Sequence, residues 1–286
     1  MALYLLDKNI VEDISGSLRG VSSPGVRIAR AIDRKGNMVS PILAIMEGSF
    51  RQPQRADETD QSLAEDTQVV GMFYRHARTD ANALVDLRMG MSIILGAHWR
   101  EKITRLMPLT AELQRLLART YSVVDARGAF QQIVALCRMH AVEFVHPVVT
   151  CAVACLYGHD GARKVLKPAQ NPTEGDSYNA MADIRMLMET AYIRRLWQQA
   201  APRENVTLYS RDKNLNEFAK AIRIVVDQST PLSDLNMEVV SFTSTISEAL
   251  FPNLAAKPKE LKRVLTLFRE GAEAASRLDL LGAPEV

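Results

Sequence analysis

The stretch that decides the fold is LYLLDKNIV, which runs from Leu3 to Val11. Its apolar residues suit a buried strand, and Asp7 follows directly, before residues that can begin a helix. In open α/β sheets, ligands bind in the crevice outside the carboxyl ends of the strands. The stretch therefore predicts an α/β fold in which an acid stands at the ligand-binding edge of a sheet.

A second stretch has the same arrangement much later in the chain. The residues VTLYSRDK, from Val206 to Lys213, form a β-prone run that ends close to Asp212, and a helical pattern follows. Two strands that each end on an acid can place two carboxylates side by side. The pair of stretches predicts the beginning of a metal site.

Bulk composition restricts the class of protein. The chain has 286 residues and a formal net charge of +2, which neither indicates nor excludes a nucleic-acid partner. The apolar run at the start is interrupted at Asp7, so we do not expect a signal peptide. The longest apolar stretch, around residues 148–157, is too short to span a bilayer, which needs roughly 20 residues. Three cysteines on apolar segments indicate free thiols in a reducing compartment, so we expect a cytoplasmic protein without membrane contact: Cys137, Cys151 and Cys155.

The remaining pattern is mostly helical. Strands are predicted around residues 38–40 and 238–242, and a polar loop at 51–62. Helical spacing then continues from Gln61 to about Tyr121. Further helices are predicted over these ranges: 10–15, 24–35, 41–47, 128–140, 147–157, 176–199, 214–226 and 258–278.

Four acids stand out by their positions in this pattern. Asp7 follows the first strand and Asp212 the last clear one. Glu47 lies in VSPILAIMEGSF (39–50), in a helix after the second strand, and Asp183 lies in NAMADIRMLMETA (179–191), near the start of a long helix. Carboxylate oxygens are the ligands that Mg²⁺ and Mn²⁺ prefer. Acids crowded together repel one another, and a bound cation compensates that repulsion.

With these four motifs in order, the sequence resembles the PIN-domain family of nucleases, named from the PilT N-terminus. The resemblance implies a PIN-like three-layer fold with a short, mostly parallel sheet, and metal-dependent phosphodiester hydrolysis, with RNA as the expected substrate and DNA as the other candidate. It implies Mg²⁺ or Mn²⁺ as cofactor. Asp7 and Asp183 would be direct ligands, and Glu47 and Asp212 would bind a second metal or hold water.

Polar neighbours of the acids have predicted roles of their own. Asn9 and Ser210 are positioned to orient carboxylates from a second layer around the metal. Three cations flank the acids and are predicted to meet phosphates: Lys8, Arg211 and Lys213.

The resemblance also implies a division of the chain. Residues 1–50 and 125–226 would form a discontinuous nuclease domain, 51–124 a large helical insertion, and 227–286 a helical extension. Apolar stripes in the insertion suggest a homodimer or a protein partner there.

Other interpretations remain open. An acid after a strand is often only a helix cap or a solvated side chain, so the chain could be a catalytically inactive PIN-like scaffold that acts through protein contacts. The spacing of Cys151, Cys155 and His159, with His146 before them, would also suit a zinc site if one helix carried them. Neither a Walker-type phosphate loop nor a GxGxxG fingerprint occurs, so a nucleotide cofactor is not indicated.

Overall fold

The computed structural model describes residues 2–51, 56–80, 98–200, 205–226 and 242–281. It confirms an α/β fold with a parallel sheet. The four strands of that sheet are β1 (Ala2–Leu6), β2 (Asn37–Ser40), β3 (Arg78–Thr79) and β4 (Asn205–Tyr209). The helices are α1 (Lys8–Leu18), α2 (Pro24–Ala31), α3 (Ile42–Arg51), α4 (Ala56–Phe73), α5 (His98–Leu116), α6 (Val123–Met139), α7 (Pro147–Leu156), α8 (Asp160–Leu166), α9 (Glu174–Ala200), α10 (Lys213–Ala221) and α11 (Pro258–Leu281). A separate antiparallel pair consists of β5 (Arg223–Val226) and β6 (Phe242–Thr245).

Strand order in the main sheet is β3-β2-β1-β4. Register pairs Leu5 with Ser40 and Leu6 with Tyr209, so the first strand of the chain lies between β2 and β4. The chain therefore adds β2 and β3 on one side of β1 and β4 on the other. Such a reversal of direction is a topological switch point, which opens a crevice at the carboxyl ends of the two strands.

The described residues divide into two compact units. The first contains residues 1–102, 189–213 and 230–240, and therefore holds the whole parallel sheet. Its core is built where α1, α2 and α4 cover the sheet, and includes Leu6, Ile10, Ile14, Val39 and Phe73. Burial of these side chains holds β1 and α1 in place. The position of Asp7, the single residue between them, is therefore set as well.

The second unit contains residues 103–188, 214–229 and 241–286. Helix α7 is buried along its full length, because its ten residues are apolar or small except for Thr150. An aromatic cluster packs in this unit and consists of Phe130, Phe144, Tyr157, Phe251 and Phe268. Arg127 on α6 makes a two-pronged ion pair with Glu260 on α11, the shorter distance being 2.7 Å.

Three local predictions are wrong. Helix α4 begins at Ala56, inside the predicted loop 51–62, because a polar, charged composition does not exclude a helix. The predicted helix from Gln61 to Tyr121 is interrupted after Phe73 by β3. The predicted helix 214–226 ends at Ala221, and the β-branched run 224–226 forms β5 instead.

Residues 56–80 bear on the predicted insertion. They supply α4, which packs on α1 and α3, and β3, which pairs with β2. The division of the chain at residues 50, 125 and 227 stays a prediction. Most of the predicted strand 238–242 lies outside the described residues, and β6 begins at its last position, Phe242. Among the described residues, no helix combines the length and the apolar content that crossing a bilayer requires.

Candidate active site

Asp7 stands at the switch point and is only 1% exposed. It caps helix α1, because its Oδ1 accepts a hydrogen bond of 2.9 Å from the backbone N–H of Ile10. Its Oδ2 accepts a hydrogen bond from the Ser210 hydroxyl, which follows β4. The Asn9 side chain is also hydrogen-bonded to this carboxylate. Both oxygens of Asp7 are therefore held in fixed directions at the carboxyl end of the sheet.

The protonation of Asp7 reflects this burial. The pKa of its carboxyl is raised to about 6, mainly because burial removes its hydration, and the negative charge of Glu47 contributes to the rise. Hydrogen bonds from Ser210, Ile10 and Asn9 oppose that rise because they favour the charged form. Burial and a second acid nearby both disfavour the charged form of Asp7, and a bound cation would favour it.

Glu47 approaches Asp7 from α3. Ser40 at the end of β2 accepts a hydrogen bond of 3.3 Å from the N–H of Ile42, at the start of this helix. Glu47 is half-buried, and its Oε2 lies 3.4 Å from the backbone nitrogen of Lys8. The second and first strands therefore bring two of the four predicted acids together.

Asp212 is tied to the same place through the backbone. Its N–H donates to the Ser210 hydroxyl oxygen over 3.0 Å, while that hydroxyl donates to Asp7. The Asp212 residue is exposed. Ser210 thus links the acid after β4 to the acid after β1.

Asp183 belongs to the second unit, whereas Asp7, Glu47 and Asp212 belong to the first. Its Oδ2 forms an ion pair of 2.7 Å with Lys167. The role of Asp183 as a metal ligand stays a prediction.

Two of the three flanking cations are engaged with acids. The Lys8 ammonium contacts both oxygens of Asp66 on α4, at 3.1 and 2.8 Å. Arg211 contacts both oxygens of Asp13 on α1, at 3.1 and 3.0 Å. Lys213 is exposed. A phosphate contact by Lys8 or Arg211 would need an exchange of partner.

Asp80 is an acid at the same edge that the sequence analysis missed. It follows β3 and accepts a hydrogen bond from Ser40 on the neighbouring strand. Burial raises the pKa of its carboxyl to about 6. Its Oδ1 is buried and has no hydrogen-bond partner in the described part of the chain. The only sequence signal was an acid directly after the Arg78-Thr79 pair, which is too short to predict a strand.

The acids at this edge meet only some of the requirements of a site for a divalent cation. Asp7 and Glu47 offer the oxygen ligands that Mg²⁺ or Mn²⁺ takes. Within the described residues, no group of three or more His, Cys, Asp or Glu is arranged to hold an ion. The two histidines do not support the zinc interpretation, because each caps a helix. The Nδ1 atoms of His146 and His159 accept hydrogen bonds from the backbone N–H groups of Val148 and Ala162.

Comparisons with known proteins give no family: no protein-family model, no curated protein and no solved structure matches the chain.

Proposed function

We propose that the protein is a PIN-like, metal-dependent phosphodiesterase that acts as an endoribonuclease. The observation that carries the proposal is the position of Asp7. It is buried at the switch point of a parallel sheet, hydrogen-bonded to Ser210 of β4 and within the electrostatic influence of Glu47 of α3. Ligand crevices of open α/β sheets occur at this place.

The residues of the chain have distinct tasks in this proposal. Asp7 and Glu47 would hold Mg²⁺ or Mn²⁺, Asp212 is the further acid of the same unit, and the role of Asp183 as a ligand stays a prediction. A bound divalent ion supplies an activated water and neutralises charge on the scissile phosphate. Ser210 and Asn9 keep the Asp7 carboxylate in one orientation, and hydrogen bonds of this kind favour its charged form. RNA, rather than DNA, follows from the resemblance in the sequence.

The cellular setting is part of the proposal. The three cysteines are buried free thiols, which supports a reducing compartment, and we place the reaction in the cytoplasm. Self-association through residues 51–124 remains a prediction.

A second candidate function is an inactive scaffold that keeps the fold without the reaction. Two observations favour it. Asp7 serves as a helix cap, which is a structural task, and the described residues hold no ready group of three metal ligands. In that case the acids are helix caps and ion-pair partners.

The test is cleavage of a labelled single-stranded RNA by the parent and by Asp7→Asn, with Mn²⁺ present. The asparagine can still cap α1, so the fold is expected to survive while cleavage is lost. Asp160→Asn, an exposed acid in the first turn of α8, is the matched control and should cleave like the parent. If Asp7→Asn cuts as fast as the parent, the site is wrongly placed.

A further inference from the structure

The amino edge of the same sheet carries a cluster of cations. Arg34 and Lys35 precede β2, and Arg75 and Arg78 lie before and at the start of β3. All four residues are exposed. Together they form what we call the basic rim.

A single carboxylate brings the two segments of the basic rim together. Asp33 accepts backbone hydrogen bonds from Arg75, His76 and Ala77, the shortest at 2.8 Å. Pairing of Met38 with Arg78 continues the contact into the sheet. The loop before β2 and the loop before β3 are therefore fixed side by side at the amino edge of the sheet.

Charge at this place is unbalanced. The neighbouring Arg30 is committed to the fold, because it donates to the Phe73 carbonyl at 2.6 Å and lies 3.6 Å over the Phe73 ring. Segments 33–35 and 75–78 contain a single acidic residue, Asp33. Its oxygens accept hydrogen bonds from backbone N–H groups and from Arg30. None of the four rim cations forms an ion pair with another described residue of this unit. Among the described residues of this unit, the rim therefore presents four exposed cations that no acid pairs with, on a chain whose overall charge is only +2.

The geometry points to a phosphate-binding surface: we propose that the basic rim binds the backbone of the RNA strand that the acid edge cleaves. This inference rests on the proposed function. Strand β2 is four residues long, so its two ends are about 10 Å apart at roughly 3.3 Å per residue. At a rise of about 3.4 Å per nucleotide in a stacked strand, a phosphate about three nucleotides from the scissile one would reach the rim.

An RNA strand suits this arrangement better than an anionic membrane. A flat membrane surface on the rim would meet the amino edge alone, about 10 Å from the acids at the opposite end of the strands, and would leave the acids without a role. A strand is narrow, and it can pass from the rim to the acids with only one phosphate placed among them. Contacts to phosphates also position a nucleic acid without reading its sequence, so the rim would set register and not sequence preference.

The experiment measures binding apart from cleavage. The full chain is titrated onto a fluorescent single-stranded RNA in EDTA, at several salt concentrations. Arg75→Ala/Arg78→Ala is compared with Arg138→Ala/Lys164→Ala, which removes the same charge from exposed positions of the second unit. We expect the rim variant to bind several-fold more weakly at every salt concentration. The slope of log affinity against log salt should fall in magnitude by about 0.7 for each lost contact on a single strand.

Three results would overturn the inference: an unchanged slope in the rim variant, an equal loss in the charge-matched control, or a loss of binding to phosphatidylserine vesicles that equals or exceeds the loss on RNA. Failure of the proposed function gives a different result. In that case Asp7→Asn cleaves like the parent, or neither cleaves, while the binding titration still separates the rim variant from its control.

Discussion

The Ser210 hydroxyl donates a hydrogen bond to Oδ2 of Asp7 across the β1–β4 pair. The two residues are 203 positions apart in sequence, and parallel pairing alone makes them neighbours. Ser210 also accepts from the N–H of Asp212, so one hydroxyl contacts both the acid that follows β1 and the backbone that follows β4. This contact ties the fold of the sheet to the geometry of the candidate site.

Replacement of Ser210 by alanine should therefore destabilise the protein. Ser210→Ala leaves Asp7 buried with one fewer donor and removes the acceptor of the Asp212 N–H. A buried polar group that loses its partner costs about 1–3 kcal/mol, and the free energy of unfolding in urea should fall by that amount. The same change should raise the pKa of Asp7 further, because Ser210 favours its charged form.

Ser247→Ala provides the matched control for that measurement. The Ser247 hydroxyl donates to the Ala221 carbonyl at an exposed position, so its loss should cost clearly less. Equal costs for the two serine variants would show that the contact with Asp7 has no special weight.

Asp80 allows a prediction about pH. Its pKa in the folded protein is raised to about 6 by burial, against about 3.9 for an unfolded aspartate. The folded state therefore holds this proton more tightly, so its contribution to stability is present below about pH 4 and is lost as the pH rises through about 6. Asp80→Asn removes that loss and keeps a carbonyl oxygen for Ser40.

The asparagine variant should therefore be the more stable protein at pH 7.5, by up to about 3 kcal/mol, and its advantage should fall to about 1 kcal/mol at pH 4.5. Urea unfolding in EDTA at both pH values measures the difference. A variant that is less stable than the parent at pH 7.5 would mean that the Asp80 carboxylate forms a favourable contact in its charged state.

Asp7 and Asp80 show how far the sequence could lead. Strands β1 and β4 are apolar runs bounded by polar residues, and an acid after a parallel strand must stand at the carboxyl edge, so Asp7 could be placed from the sequence. Strand β3 has two residues, Arg78 and Thr79, with no alternation of apolar and polar side chains. It exists because β2 pairs with it, and such pairing is not visible in the local sequence. Asp80 was missed for that reason.

Asp183 shows what the sequence could not predict. Its position near the start of a helix follows from helical spacing, and the structure places it in helix α9. Which compact unit a given turn of that 27-residue helix joins depends on packing with distant segments. Periodicity carries no information about those contacts, so convergence of all four acids remained a hypothesis.

The ion pair between Lys8 and Asp66 should show strong coupling in a double-mutant cycle. Both side chains are mostly buried, at 20% and 12% exposed, and the shorter contact is 2.8 Å. Lys8→Met leaves Asp66 buried without its cation, whereas Lys8→Met combined with Asp66→Asn removes the stranded charge. We expect a coupling energy of about 0.5–3 kcal/mol, near the upper part of that range.

The pair Arg211–Asp13 serves as the comparison cycle, because its arginine is 45% exposed and the expected coupling is only about 0.2–1 kcal/mol. Urea unfolding of both sets of variants gives both coupling energies. Similar values for the two pairs would contradict the view that burial makes the Lys8 contact the stronger one.

Manganese binding provides the last prediction and separates the enzyme from the scaffold. An ion that binds only the folded state stabilises it by about 2.7 kcal/mol at a concentration one hundred times its Kd. Titration of Mn²⁺ should therefore raise the Tm of the parent, and the rise should be lost in Asp7→Asn and in Glu47→Gln. The control Asp160→Asn should keep the rise.

Asp183→Asn decides whether the second unit contributes a ligand: loss of the rise indicates that it does, and an unchanged rise removes Asp183 from the ligand set. A parent without any rise in Tm would favour the scaffold function. An intact site at Asp7 and Glu47 must bind the ion, because the ion relieves the repulsion between the two carboxylates.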